Sequence, residues 1–303
     1  MPSAALVAIP LHLCLVGYGL MRVCGVAETS KAVQHAVSHS ATGPALLLAS
    51  FLLVDRCIAM LPTGTDADCP MDESDSIPLI TIAVFSTLMV SNILSTCAAG
   101  TRDLNFFFAI TVHAMIVVAY VQLHFGVGSG AVVWRTSYGS WFYPGRINLW
   151  MHSSMSQIYG FAASPSAVER YGASEILRRV RDTFLMFVFG FLATAPAPAV
   201  LPTEGAYGYT IGLLFLSAPL LVRIVTFMAA ALPICLHVPQ SAEASEVNRL
   251  FMRALTPLML STWVAFPLIW CAAALKLITP QQEAAIFSAT DLLAKVGATP
   301  PWD

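Results

Sequence analysis

Two residues near the C-terminal end of the chain have the clearest chemistry. Asp291 and Lys295 lie four residues apart in an otherwise apolar segment. On a helix this spacing places both side chains on one face, one turn apart. Burial disfavours a charged ammonium, and the neutral amine is the form that condenses with an aldehyde. The pair therefore predicts a lysine that forms a Schiff base and an aspartate that balances its charge. The alternative is a lysine that extends to the membrane surface beside a structural aspartate.

The composition indicates a membrane protein. Of the 303 residues, 57% are hydrophobic and 11% are charged, and the mean hydropathy is +0.73, whereas a soluble domain carries about 25% charged residues. We therefore expect a lipid bilayer as the environment. No basic tract accompanies the net charge of -2, so nucleic acid is not an expected partner. The cysteines lack metal-type spacing, and no hydrolytic or phosphate-binding motif occurs, so we expect neither a metal nor a catalytic residue.

Hydropathy predicts an all-α, polytopic fold with nine apolar spans. A full span needs about 20 residues, which makes the last span short. The second span contains Asp55 and Arg56, which we interpret as an ion pair between neighbours. The predicted spans are residues 3–24, 43–62, 78–99, 104–126, 146–163, 181–202, 207–236, 252–276 and 282–299.

The charges between the spans predict an orientation in the membrane. Arg170, Arg178, Arg179 and Arg181 cluster between the fifth and sixth spans, whereas the segment 63–77 is acidic. Segments rich in arginine remain on the cytoplasmic side. The C-terminus is therefore expected in the cytoplasm, with the predicted Schiff-base lysine toward the cytoplasmic half of its helix.

Several motifs occur in a fixed order along the apolar spans. They are Phe107 to Thr111, then Arg146-x-x-x-Trp150-x-x-Ser153-Ser154, then Trp263-x-x-Phe266-Pro267-x-x-Trp270, and last Asp291-x-x-x-Lys295. From about residue 78 to residue 300 this order resembles the microbial (type-1) rhodopsins, which are seven-helix retinal proteins. Residues 76–303 would then form a seven-helix retinal-binding domain. Residues 1–75 would add one or two hydrophobic helices and an acidic extracellular loop.

The resemblance implies a role for each motif. Lys295 would carry all-trans-retinal as a protonated Schiff base, Asp291 would be the counterion, and Arg146 would lie below the Schiff base. Trp150, on the third helix of the seven, would stack on the polyene. Ser153 and Ser154 on the same helix would hydrogen-bond near it. Flat apolar walls suit such a ligand, and the remaining clamp residues would be Trp263, Phe266, Pro267 and Trp270, with phenylalanine where tyrosine is common.

Two departures from the family pattern bear on function. Leu149 occupies the position of the carboxylate that accepts the Schiff-base proton in outward pumps, and Gly160 occupies that of the cytoplasmic proton donor. A proton pump needs groups that accept and release protons in sequence, so we do not expect outward proton pumping. Glu283 either aligns with the extracellular release carboxylate of pumps or is an exposed glutamate at a helix start. His152 is expected to point away from this face as a hydrogen-bonded packing residue.

Three functional classes follow. The first is a light-sensing photoreceptor, either alone or as the membrane module of a larger light-regulated protein with a cytoplasmic signalling partner or fused effector. The second is a light-gated ion channel for anions, because its members also lose the third-helix carboxylate. The third is a non-photoactive membrane scaffold. A homo-oligomer is compatible with each class. Heliorhodopsins are a related alternative, but Asp291 and the Phe266-Pro267 pair fit type-1 members better.

Overall fold

The computed structural model describes residues 42–61, 76–99, 104–135, 141–160, 165–194, 203–235 and 246–296. Within these ranges the chain is almost entirely helical. The predicted first span, residues 3–24, lies outside them. The helices are α1 (Thr42–Ala59), α2 (Ser76–Ala99), α3 (Leu104–Phe125), α4 (Pro144–Gly160), α5 (Pro165–Tyr171), α6 (Ala173–Thr194), α7 (Thr203–Cys235), α8 (Glu246–Ala274) and α9 (Pro280–Val296).

Seven of these helices form a closed ring. In ring order they are α2, α3, α4, α6, α7, α8 and α9, and α9 packs back against α2. The short helix α5 packs against α6 and α7. Apolar side chains from each ring helix meet in the interior, including the fully buried Met115, Ile158 and Met228. The expected all-α, seven-helix bundle is therefore confirmed.

Helix α1 lies outside the ring and packs against α3 and α4. Its buried residues Leu47, Phe51, Val54 and Ile58 recur every three or four positions, so they form one face. The opposite face is exposed. The expectation of one or two extra N-terminal helices is therefore confirmed, with α1 as one of them.

The connection between α3 and α4 contains the only β-strands among the described residues. A 3₁₀ turn, Gly128–Ala131, follows α3 and leads into a two-stranded antiparallel ladder of Trp134–Arg135 and Trp141–Phe142. Hydropathy did not predict this hairpin because each strand has only two residues. The turn packs against α1, α3 and α4, so it joins the outer helix to the ring.

Two sequence expectations were wrong in detail. The predicted span 181–202 begins eight residues too late, because α6 starts at Ala173. Hydropathy missed this first part because it carries an ion-paired polar face, in which Arg179 contacts Glu175 and Asp182. The arginines placed in a loop thus lie on helices. Asp55 and Arg56 also do not pair, because Asp55 is buried and Arg56 is exposed.

The turn between α8 and α9 has strong local signals at both ends. At the end of α8, Leu277 N donates to Ala272 O at 2.8 Å and Lys276 N donates to Ala273 O at 2.9 Å, with Lys276 at φ 58°. This is the Schellman pattern. At the start of α9, Thr279 and Gln282 each bond the other's backbone N–H with a side-chain oxygen, at 3.2 and 2.9 Å. This is a capping box that fixes where α9 begins.

Two described helical stretches, Phe107–Ala131 and Gly212–Ala231, are long and apolar enough to cross a membrane by length and composition. Two shorter apolar helices are Pro78–Leu94 and Leu260–Ala273. The outer surface is also apolar, since Phe215 is 77% exposed and Leu268 is 62% exposed. Such contiguous apolar surface suits a bilayer.

Candidate functional site

The predicted aspartate–lysine pair lies inside the bundle. Asp291 is 1% exposed and Lys295 is 3% exposed, and the ammonium Nζ of the lysine donates to Oδ1 of the aspartate. Helix α9 places both side chains on one face, as the four-residue spacing predicted. The alternative of a lysine that extends to the membrane surface is inconsistent with this burial.

A third residue bonds the aspartate of this pair, and sequence reasoning missed it. Tyr120 on α3 is 1% exposed, and its hydroxyl donates to Oδ2 of Asp291 at 2.9 Å. Both oxygens of the carboxylate are therefore used. The available signal was a tyrosine on the buried stripe of α3, because a buried tyrosine hydroxyl usually needs a polar partner.

An apolar cavity of about 170 Å³ is lined by Lys295 and by residues of α4, α6, α7, α8 and α9. It brings together seven of the predicted site residues. Other wall residues, such as Phe287 and Gln157, were not predicted. They belong to no motif and reach the cavity only because the helices pack together. The predicted residues in the wall are Trp150, Ser154, Trp263, Phe266, Pro267, Trp270 and Lys295.

Aromatic rings surround the lysine end of this cavity. The ring centroids of Trp150 and Phe266 are 4.7 Å apart, and those of Trp150 and Phe287 are 5.0 Å apart. Phe266 and Phe287 stack at 6.0 Å with an interplanar angle of 16°. Nζ of Lys295 lies 5.8 Å from the Phe266 centroid. Flat apolar walls that end at a single amine fit a long conjugated aldehyde such as retinal.

The remaining predicted residues lie beside this cavity. Leu149 and Arg146 line a second, smaller cavity together with Tyr120. Arg146 is 7% exposed, and its Nη2 donates to Ser288 Oγ on α9 at 3.3 Å. Ser153 is fully buried, and its hydroxyl donates to its own helix at Trp150 O, at 3.4 Å.

Other titratable residues fall into separate surroundings. His152 is a hydrogen-bonded packing residue, as expected: its Nδ1 lies 3.0 Å from Asn148 O, and its Nε2 lies 3.0 Å from Ser50 Oγ on α1. Because a carbonyl only accepts, Nδ1 carries the proton and the serine donates to Nε2 when the ring is neutral. Glu283 is 6% exposed, so the alternative of an exposed helix-start glutamate is wrong. Among the described residues no group of three metal-ligating side chains occurs.

The fold is similar to solved rhodopsin structures. The transmembrane domain and linker region of the Salpingoeca rosetta rhodopsin phosphodiesterase matches with a TM-score of 0.62 and 15% identity, over 84% of this chain and 88% of that chain. Thermophilic rhodopsin from Rubrobacter xylanophilus matches with a TM-score of 0.53 and 16% identity, over 73% and 92%. The light-driven proton pump of Leptosphaeria maculans matches at 0.50 and 16%, over 74% and 93%.

At these identities the structural matches show the fold alone, and no curated protein matches the chain in sequence. A family model gives the stronger result. The model described as bacteriorhodopsin-like protein matches residues 73–298, which contain every predicted site residue and all seven ring helices. The chain therefore belongs to the bacteriorhodopsin-like family of microbial rhodopsins and is an integral membrane protein.

Proposed function

We propose that the protein is a light-sensing membrane receptor that holds retinal on Nζ of Lys295. The observation that carries this proposal is a buried amine, ion-paired to Asp291, in the wall of an apolar cavity that aromatic rings line. The family implies a retinal chromophore, and we infer the all-trans isomer from the resemblance of the motifs. When bound, retinal supplies absorption of visible light.

The protein groups around Lys295 have distinct tasks in this proposal. Asp291 holds the positive charge of the linkage, and the Tyr120 hydroxyl fixes the carboxylate by bonding its second oxygen. The aromatic walls exclude water and restrict the shapes that the polyene adopts. Ser154 is a polar wall residue and offers a hydroxyl inside an otherwise apolar slot.

We propose further that the protein senses light and does not export protons. Leu149 is 1% exposed and lines the small cavity with Arg146 and Tyr120, so an apolar group stands beside the tyrosine that bonds the counterion. Gly160 has no side chain, and a Cβ built there would lie 3.9 Å from the Phe108 ring. Neither position offers a group that binds a proton.

A fused effector or a cytoplasmic signalling partner would complete the sensory role. The match to the rhodopsin phosphodiesterase domain covers 84% of this chain, about 255 of 303 residues, whereas the family match spans the 226 residues 73–298. The likeness to that domain therefore extends outside the seven-helix part, toward α1. The predicted cytoplasmic C-terminus would carry the output.

The test of retinal attachment uses the small number of lysines. The chain contains three, Lys31, Lys276 and Lys295, so each is replaced by alanine in the full chain. With added all-trans-retinal, the wild type, Lys31→Ala and Lys276→Ala should form a visible band stable to washing. Lys295→Ala should form none, because it removes the buried amine. A washed visible band in Lys295→Ala would contradict the attachment site.

A further inference from the structure

Helix α1 carries a carboxylate into the protein interior. Asp55 is 6% exposed; Nε2 of Gln122 donates to its Oδ2 at 2.8 Å, and the hydroxyl of Ser129 donates to its Oδ1. Among the described residues no cation lies within ion-pair distance of this carboxylate. Two neutral donors satisfy its hydrogen bonds but leave its charge unbalanced.

Arg146, on α4 of the ring, is a buried cation that lacks an acidic partner among the described residues. It is 7% exposed, donates to Ser288 Oγ, and has no carboxylate within ion-pair distance in the described part of the chain. Its Nε is buried and has no hydrogen-bond partner there. A buried donor of a charged group that lacks a partner is costly, so a missing acceptor is expected.

A small cavity is lined both by Arg146 and by Ser129, the residue that bonds Asp55. Its volume is about 10 Å³, and its polar lining residues are Tyr120, Ser129, Tyr143 and Arg146. This is close to the space that one water molecule needs, and buried waters bond two to four polar groups. The hydroxyl of Ser129 bonds Asp55, and the hydroxyl of Tyr120 bonds Asp291. A water in this cavity would therefore touch both carboxylate systems and Arg146.

Two glycines allow the 3₁₀ turn to pack closely against α3 and α4. A Cβ at Gly145 on α4 would lie 2.5 Å from Oγ of Ser129, and a Cβ at Gly130 would overlap the backbone of Gln122. Any larger residue at these positions would push the 3₁₀ turn away from α3 and α4. The sequence thus brings Ser129 against the cavity and keeps Asp55 within reach of it.

We propose that Asp55 is the electrostatic partner of Arg146, acting through Ser129 and one water in this cavity, so that α1 adjusts the charge balance around the lysine–aspartate pair. Opposite charges attract more strongly in a buried, low-dielectric region than in water. With Asp55 ionised, part of the positive field of Arg146 is balanced by a carboxylate other than Asp291. The spectral part of this inference rests on the proposed function, whereas the charge pairing does not.

The first test needs no chromophore. Thermal unfolding midpoints of the full chain in detergent, without retinal, are measured for the wild type, Asp55→Asn, Arg146→Gln and the double variant. Paired groups give non-additive effects, so the loss in the double variant should be smaller than the sum of the single losses by roughly 2 °C or more. Additive losses would overturn the pairing. If Asp55→Asn does not fold, Ser129→Ala replaces it in the same cycle, because it removes the bridging hydroxyl.

Ser50→Ala is the matched control. It removes a hydrogen bond between α1 and α4, to His152, but changes no charge. Its loss should add to that of Arg146→Gln. Non-additivity equal to that of Asp55→Asn would mean that loosened docking of α1, and not charge, causes the coupling, which would also overturn the proposal.

The second test uses the retinal-loaded protein. Asp55→Asn should move the visible band to longer wavelength, because Arg146 then acts more strongly on Asp291 and weakens its hold on the Schiff base. The shift should be smaller in the Arg146→Gln background, and an equal shift in both would overturn the spectral part. If the wild type forms no pigment, the proposed function fails, and the unfolding cycle still decides the charge pairing.

Discussion

At the residue scale, the carboxylate of Asp291 joins α9 to α3. It accepts from Lys295 on its own helix and from Tyr120 on α3, and Arg146 of α4 bonds Ser288 one turn away on α9. The aspartate–lysine spacing predicted the first contact, since both residues lie within one turn. It could not predict Tyr120, which is 171 positions away in sequence and meets the aspartate only because the ring closes.

Asp291→Asn should deprotonate the retinal linkage. The substitution preserves shape but removes the negative charge, and an opposite charge within ~4–6 Å is what favours the protonated form. Leu149 offers no substitute. In halide-free buffer at neutral pH, the visible band should move to the near ultraviolet. Glu283→Gln, which neutralises another buried carboxylate of α9, is the control and should keep a visible band. An unchanged band in Asp291→Asn would identify another group as the counterion.

At the element scale, the start of α9 determines where the lysine lies. The capping box of Thr279 and Gln282 and Pro280 in the first helical position fix the first turn, four turns before Lys295. These signals are local and readable from sequence. The early start of α6 was not, because its ion pairs satisfy a polar stretch that hydropathy interprets as a loop. The two-residue strands after α3 were also beyond a periodicity argument.

Thr279→Ala should destabilise the protein by about 1 kcal/mol, because it removes the oxygen that caps Gln282 N. The thermal unfolding midpoint should fall by roughly 2–4 °C. Thr87→Ala is the matched control, since that threonine is exposed in the interior of α2 and its hydroxyl only bonds Ala83 O of its own helix. Equal midpoints for Thr279→Ala and the wild type would show that the cap contributes nothing to stability.

At the scale of the whole molecule, the seven-helix ring followed from the number of spans and the order of their motifs. The position of α1 against the ring could not be predicted in this way. Hydropathy identifies an apolar helix but not its neighbours, and α1 is located by polar contacts with α4. These are the Ser50–His152 bond and the bond from Asn148 Nδ2 to Phe51 O at 3.1 Å. Neither pair has a recognisable sequence spacing.

Illumination should drive no net proton export. By resemblance, Leu149 and Gly160 occupy the positions of the acceptor and the donor, and neither binds a proton, so we expect no proton relay through them. The measurement is external pH in a lightly buffered suspension of expressing cells under light. Lys295→Ala cells and a protonophore serve as controls. Acidification by the wild type that the protonophore abolishes, and that Lys295→Ala lacks, would contradict this prediction.

The position of α1 also restricts how subunits can assemble. Because α1 covers the side of the ring formed by α3 and α4, a second copy that approaches from that side meets the outer surface of α1 first. That surface carries Leu46, Leu52 and Leu53, which are 45%, 46% and 56% exposed. A subunit seam there would be made by a helix outside the retinal bundle. Substitutions on this surface would therefore alter such a seam while the chromophore walls stay the same.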